Sequence, residues 1–515
     1  MSGDLGLADE PTGDEFADDP AFPEQDEPET ETRRGVTAKG VVVAGARTVA
    51  GLVGIGVAAV TIAAAVLLPL PTISSTPASM LVTPVPTAQQ LVCAGSVLRL
   101  ADDSGEGATT VSALGSPDLR AEASEGRVST TAVEVSDAST GGTSSAPAVV
   151  STPPSAAGAT ESALVSGAQS ELVNEGDFVG LAAADCAVPN GDSWLAGGST
   201  AVGRTTLLSL TNPSEVPATV NLEIFGEDGK VTAPGTSGII VPANGQRVLS
   251  LAGFQPDIVS PVVHVKSTGG QVSATLQQAT VRTLTPGGLD IVSSVPALAT
   301  DTVIPGVVIT GLDAVQALRK GGDPQFDDVE TAVRVFAPGE GTVSLTVTVT
   351  PEDGAETGTS FQVDVDAGRV TDVPIEQLAT GSYTVGITSS APVVGSVRVT
   401  SAVGQTTDFA WFTAASPLAT AAQVTAAPGP NPVLHLANPG TAAADVVVAG
   451  TDGTSRTVTV PAAASALVSL SAGETYSLTG FRLLYASVTL ADAGMIAGYS
   501  VRPPGVGSGP ILIYP

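Results

Sequence analysis

One pattern of apolar and polar residues occurs three times in the second half of the chain. Each copy opens with a short apolar segment that ends in a turn containing Pro, at residues 207–213, 332–338 and 433–439. An alternating or apolar segment follows, at 219–224, 343–349 and 445–448, and then an Asp-Gly pair. Alternation with a period of two predicts β-strands that bury one face, and Asp-Gly is a common hairpin turn. We therefore expect three copies of one antiparallel β unit.

The spacing of these strands predicts a fold class. Roughly six or seven strands in about 70 residues, with a turn every 8–12, is typical of an immunoglobulin-like β-sandwich. The usual Cys and Trp markers of that fold are missing from the copies, so the topology stays open. A β-propeller is the alternative, although its blades of about 40–50 residues fit the repeat lengths less well. We expect tandem sandwiches at 201–300, 301–420 and 421–515, with one short helix at 313–320.

The N-terminal part of the chain predicts a membrane anchor. Residues 1–32 contain twelve acidic side chains and no Lys or Arg, which is typical of a disordered segment. After a basic flank, 23 residues from Thr48 to Leu70 carry no charge, which is long enough for a spanning helix. The positive charges precede the span, so the N-terminus is expected in the cytoplasm and the bulk outside. A cleaved signal peptide is the alternative, but the exit Leu-Pro-Leu-Pro-Thr lacks a small-residue cleavage site.

A stalk and a separate module are expected between this anchor and the repeats. Residues 33–71 form the basic flank and helix, and residues 72–90 are rich in Pro, as in a semi-rigid spacer. The next segment, 91–200, is rich in Ser and Thr and is bracketed by Cys93 and Cys186, the only two cysteines. In the oxidising compartment that the topology predicts, these two should form a disulfide.

Charge and composition exclude several functions. The chain has 51 acidic and 20 basic residues, and this balance argues against nucleic-acid binding. Two His and two Cys leave little for a metal site or for His-based catalysis, and no hydrolase, zinc-protease, phosphate-loop or dinucleotide motif occurs. We therefore predict no catalytic residue, no cofactor and no metal. A carboxylate pair without a sequence signature remains the enzymatic alternative.

The His and Trp residues are the other candidates. His264 and His435 alternate with Val or Leu, which predicts that both face solvent and have no catalytic role. Trp194 and Trp411 are the only Trp residues and are interpreted as plugs in a core or module junction. The alternative is that an exposed Trp face contacts a ligand such as a sugar ring.

Several of these features together resemble a known family. The acidic tail, the single anchor helix and the repeated Leu-x-Leu-x-Asn-Pro, Val-Pro-Ala and Leu-x-Ser-Leu segments resemble a family of membrane-anchored extracellular β-repeat proteins of actinobacteria, whose function is unknown. The resemblance implies location and fold, and it transfers no functional residue.

The expected function follows from the anchor and the repeats. We expect a non-enzymatic, single-pass cell-envelope protein whose β modules bind or scaffold a cell-wall glycan or envelope protein. The alternatives are an accessory subunit of a membrane glycosyltransferase or transporter, and an extracellular enzyme acting on glycans.

Overall fold

The protein is mainly β, with several antiparallel sheets, as the alternation predicts. The computed structural model describes residues 80–82, 88–100, 110–135, 146–153, 163–295, 297–354, 358–505 and 511–513, together with positions 53, 56 and 57. In this part of the chain no helix is long and apolar enough to cross a membrane. The acidic segment 1–32 and all but three positions of the predicted span lie outside the described residues.

The strands group into four modules in chain order. The first module contains β1 Met80–Val82, β2 Gln90–Cys93, β3 Leu98–Leu100, β4 Val111–Ala113, β5 Asp118–Ala123, β6 Ser129–Ala132, β7 Glu134–Val135, β8 Ala148–Ser151, β9 Val165–Glu175 and β10 Phe178–Asp185. The second contains β11 Asp192–Ala196, β12 Arg204–Asn212, β13 Ala218–Gly226, β14 Gly229–Lys230, β15 Ile239–Val241, β16 Gly245–Ser250, a 3₁₀ turn at Leu251–Gly253, β17 Val262–Gly269, β18 Ser273–Arg282 and β19 Thr285–Ser293.

The third and fourth modules complete the chain. The third contains β20 Ala299–Ile309, the helix α1 Leu312–Lys320, a 3₁₀ turn at Pro324–Val329, β21 Ala332–Phe336, β22 Thr342–Pro351, β23 Thr359–Asp366, β24 Val370–Pro374, β25 Gly381–Val403 and β26 Thr406–Thr413. The fourth contains β27 Ala421–Thr425, β28 Val433–Asn438, β29 Ala444–Gly450, β30 Ser455–Val460, β31 Ala464–Ser469, β32 Thr475–Thr479, β33 Tyr485–Asp492 and β34 Met495–Ser500, and is followed by β35 Ile511–Ile513, which pairs with β1. The helix predicted at 313–320 is confirmed as α1.

The last three modules share one strand order. Numbering the main strands of each module from 1 to 8, one sheet has the order 1-6-3-4 and the other 5-2-7-8. In the second module these are β11-β17-β13-β15 and β16-β12-β18-β19. In the third module the long strand β25 supplies both strand 6 and strand 7, one to each sheet.

This order differs from that of an immunoglobulin domain. There the first strand lies beside the second, in the sheet ABED. Here strand 1 pairs with strand 6, and strand 7 takes the place beside strand 2. The first repeat also begins before the boundary expected at residue 201, because β11 is the partner of β17.

The first module repeats part of the same pattern, which the sequence did not reveal. Its sheets β2-β8-β6 and β10-β9-β5 correspond to 1-6-3 and 8-7-2. The predicted disulfide is present: Cys93 ends β2 and Cys186 follows β10, so the bond joins these two strands of the module. Both cysteines are buried.

The last strands interlock the modules in a closed circuit. Strand β26 of the third module places Phe409 and Trp411 in the core of the second, and β34 of the fourth places Ile496 in the core of the third. In the same way, β19 of the second module packs into the core of the first module. Strand β10 of the first module places Leu181 in the core of the fourth module. Each module thus completes the core of the preceding one, and the first completes the last.

The carboxyl group of Asp408 lies where the last strands of the four modules meet. Asp408 is buried, and its Oδ2 accepts hydrogen bonds from the backbone N–H groups of Leu181 (3.0 Å) and Ile496 (3.2 Å). Its Oδ1 accepts from the N–H of Leu289 (3.2 Å), and the N–H of Phe409 also points to the carboxylate. These four amides come one from each module.

Candidate functional site

Several buried charged side chains of the described chain meet at a cleft between the second and third modules. It has a volume of about 420 Å³, within the range of small-ligand sites. Its charged lining residues are Arg204 from the second module and Arg334, Arg398, Asp327, Asp328, Glu330 and Asp372 from the third. We call this cavity the arginine cleft.

Asp328 organises one side of the arginine cleft. It lies in the 3₁₀ turn Pro324–Val329, and its Oδ2 accepts from Arg204 (3.1 Å) and Arg398 (3.3 Å). Its Oδ1 accepts from Arg282 at 2.7 Å. Burial alone would raise the pKa of Asp328, but the three guanidinium groups lower this pKa to about 2. The carboxylate is therefore ionised and fixes three arginines around itself.

Arg334 forms the other side with Asp372. The pair is bidentate, with Nε–Oδ1 and Nη2–Oδ2 distances of 2.8 Å. Nη1 of Arg334 donates to the carbonyl of Gly198 in the second module at 2.7 Å, so the pair also links the two modules. Burial would raise the pKa of Asp372, and Arg334 lowers it. The guanidinium lies 4.5 Å from the ring centre of Trp411, which lines the same cavity.

Arg398 is the least satisfied of the buried arginines. It is 6% exposed, and its Nε is buried with no hydrogen-bond partner among the described residues. The pKa of Arg398 is lowered to about 10, chiefly by burial and also by the nearby guanidinium groups of Arg282, Arg334 and Arg204, while Asp328 opposes them. Arg398 therefore carries a buried positive charge whose carboxylate partner, Asp328, it shares with two other arginines.

The chemistry of the arginine cleft favours binding over proton transfer. A general acid or base needs a pKa near the working pH. Asp328 and Asp372 are instead held ionised by arginine, and both histidines lie outside the lining. What the cleft offers is a set of guanidinium donors fixed in position, which suits recognition of a ligand rich in acceptor oxygens.

The expectation that His264 and His435 face solvent is wrong, because both side chains are buried. His264 bonds to Asp192 (2.8 Å) and Glu223 (3.1 Å) and stacks on Trp194 at 3.7 Å. His435 bonds to Glu352 (2.5 Å) and Thr489 (2.7 Å) at the junction of the third and fourth modules.

Both Trp residues are buried at module junctions, in line with their interpretation as plugs in a core or junction. Trp194 is buried beside Phe336 of the third module, in a cluster separate from the arginine cleft. Trp411 is also buried, and its Nε1 donates to Gln278 of the second module at 2.7 Å. Only Trp411 lines the cleft, so it keeps a place among candidate ligand contacts.

Sequence reasoning missed the arginines. Arg282, Arg334 and Arg398 each lie within a strand between apolar or β-branched neighbours, in TVRTL, AVRVF and SVRVT. A lone cation inside a strand of this kind is expensive to bury without partners. That recurrence is the signal that could have found the site.

Comparison with known proteins supplies a family. The model of a family of unknown function, DUF5719, matches residues 135–471, a range that contains the arginine cleft and Asp408. A search of the curated proteins finds no match to the chain. Because the family match covers more than half of the chain, the protein belongs to DUF5719, a family of unknown function.

Proposed function

We propose that the protein is a non-enzymatic binding component of the cell envelope. The segment Thr48–Leu70 anchors it by a single span with the N-terminus in the cytoplasm, and the β modules form an extracellular head that holds a wall component or envelope partner in the arginine cleft. The modules act as sandwiches locked into one unit.

The observation that carries this proposal is the fixed arrangement of arginines between two interlocked modules. A site whose donors are already held in place loses little conformational freedom when a ligand binds. Asp328 and Asp372 fix the guanidinium groups, and Trp411 from the third module is embedded in the core of the second. The junction is therefore a pre-formed surface, which supports a role in binding.

The ionisation of the cleft supports binding over hydrolysis. A glycan hydrolase of the usual kind needs one carboxylic acid that is protonated near neutral pH. The two carboxyls that contact the cleft arginines, Asp328 and Asp372, both have lowered pKa values, so neither can supply that proton.

The proposal is tested by sedimenting the full-length protein in mild detergent with isolated cell-wall polymers and envelope fractions. We expect saturable association and no release of soluble product. Arg398→Gln should weaken the association at least about tenfold, the loss of a charge-assisted contact of about 1.4 kcal/mol or more, and Arg204→Gln should weaken it to a smaller extent. Arg482→Gln, an exposed arginine of the fourth module, is the matched control and should bind as wild type.

Two results would contradict the proposal. One is product release that a single Asp or Glu substitution abolishes, which would make the protein an enzyme. The other is association that is unchanged in both cleft variants, which would place the binding surface elsewhere.

A further inference from the structure

Arg398 has more hydrogen-bond donors than the described structure uses. A guanidinium group carries five N–H donors. The only hydrogen bond that the Arg398 side chain makes within the described residues is the 3.3 Å contact from Nη2 to Asp328, a long one for a charged pair. The guanidinium carbon lies 4.8 Å from the ring centre of Phe409. This aromatic ring offers no acceptor oxygen.

The other three arginines contrast with it. Arg282 donates to Gln325, Gly287, Thr407 and Asp328. Arg334 donates to both oxygens of Asp372 and to the carbonyls of Gly198, Pro261 and Val259. Arg204 donates to Asp328 and to two further carbonyls. Partner groups are thus abundant here, and only Arg398 lacks them.

The ion pairs show the same feature. Three arginines line the cleft, Arg204, Arg334 and Arg398, and Arg282 reaches Asp328 from outside the lining. Asp328 is therefore shared by three guanidinium groups, whereas Asp372 pairs with Arg334. On the rim, Glu330 is already paired with Arg319 at 2.9 Å, and Asp327 is exposed to water. A buried cation that shares its counter-ion is only partly compensated, so an anion beside Arg398 would be stabilised.

Polar groups beside the arginines add to the case. Thr280 is the sheet partner of Arg204, and its buried hydroxyl has no hydrogen-bond partner among the described residues. Two residues along β18, Gln278 lines the cleft. Gln278 is therefore the polar residue of this strand that a ligand in the cleft can reach.

We propose that the arginine cleft binds an oxyanion, a phosphate or carboxylate group of a ligand, with Arg398 as its principal contact and Arg204 at its mouth. This inference rests on the proposed binding function and names the chemistry of its ligand. The guanidinium fork matches the two oxygens of a carboxylate or phosphate, whereas a spherical anion such as chloride cannot occupy both donors in the same way. Two sources of the group, a phosphate ester and a carboxylic acid, share this chemistry.

Calorimetric titration of the full-length protein in detergent tests the proposal, with inorganic phosphate and succinate as probes and NaCl keeping the ionic strength constant. We expect saturable binding of at least one probe. Arg398→Gln should weaken it at least about tenfold and Arg204→Gln to a smaller extent. Arg482→Gln should leave it unchanged. Thermal unfolding of each variant, recorded alongside, shows that the variants are folded.

The pattern of results identifies the source and separates this inference from the proposed function. Binding of phosphate alone supports a phosphate ester, and binding of succinate alone supports a carboxylic acid. Absence of binding of both probes by the wild type up to about 10 mM, a free energy of only about 3 kcal/mol, overturns the oxyanion site. So does undiminished binding by folded Arg398→Gln. If envelope association still depends on Arg398 in that case, the proposed function stands and only the ligand class is wrong.

Discussion

Asp408 shows how one side chain can hold four repeats together. Its carboxylate accepts one backbone N–H from each module, and the equivalent positions of two other modules are Gly180 and Gly288. A Cβ atom at either glycine would lie within 3.0 Å of Asp408. At this repeat position the third module has Asp408, whose carboxylate accepts the hydrogen bonds. The first and second modules have glycine there, which leaves space for that carboxylate.

We predict that Asp408→Asn destabilises the protein. The amide nitrogen would replace an oxygen that accepts N–H groups, and each buried amide left without an acceptor costs about 1–3 kcal/mol. The free energy of unfolding in urea at pH 5 should fall by about 2–4 kcal/mol. Asp177→Asn, in the exposed turn between β9 and β10, is the control. An equal, small effect of both substitutions would contradict the role of Asp408.

The pH dependence of Asp408 gives a second prediction. Burial raises the pKa of Asp408 to about 7, although the four N–H groups oppose this. The ordinary pKa of this carboxyl group is 3.8. Between pH 3.8 and about pH 7, Asp408 therefore keeps its proton in the folded protein and has lost it in the unfolded chain. The contribution of Asp408 to stability is thus fully present below pH 4 and is lost as pH rises through 7. Burial also raises the pKa values of Asp290 and Glu171, which contribute to the fall in both proteins. Unfolding titrations from pH 4 to 8 should therefore show a steeper fall in the wild type than in Asp408→Asn; parallel curves would count against it.

Nothing local in the sequence identifies Asp408 or the buried histidines. The alternating residues around them predict ordinary strands with one solvent-exposed face. The interlocking buries both faces of strands 2, 7 and 8, as in β12 and β26, so alternation no longer indicates which side meets solvent. The prediction that His435 faces solvent is wrong for this reason, because its side chain is buried against Glu352 of the preceding module.

At the scale of elements, the strands and the helix α1 could be predicted, but their pairing could not. Alternation and turn residues are local properties, and they located the repeated strands of the last three modules. The pairing of strand 1 with strand 6 depends on contacts between distant residues, which one sequence does not display. The disulfide was predictable because Cys93 and Cys186 are the only two cysteines.

We predict that the last strand of the third module, β26, stabilises the core of the second module. Phe409→Ala should lower the free energy of unfolding by about 3–5 kcal/mol, because it opens a cavity in a core that the module cannot fill alone. Phe361→Ala on the edge strand β23, where the ring is only partly buried, is the control and should cost clearly less. Equal losses measured by chemical denaturation would refute the interlocking.

The disulfide carries a further prediction for the first module. Its two cysteines lie 93 residues apart, and closing a loop of that length restricts the unfolded chain by about 4–5 kcal/mol in the entropic model. Cys93→Ser/Cys186→Ser should lower the melting temperature, and a reductant should lower that of the wild type to a similar value while leaving the double variant unaffected. If the reductant also shifts the double variant, the effect does not come from this bond.

At the scale of the whole molecule, the four modules form a closed set rather than a string of independent domains. Each module lends apolar residues to the preceding core, and Asp408 joins all four last strands. Such an array cannot lose one member without exposing the core of another. The same closure fixes the walls of the arginine cleft, which come from two modules.

Native-state hydrogen exchange of the full-length protein tests this closure most directly, through the amides of Leu181, Leu289, Phe409 and Ile496. We expect the four to exchange together, with one opening free energy equal to that of global unfolding, and to become faster together in Asp408→Asn. Exchange of one of these amides well before the others, with the remaining modules still protected, would show independent domains and contradict the account.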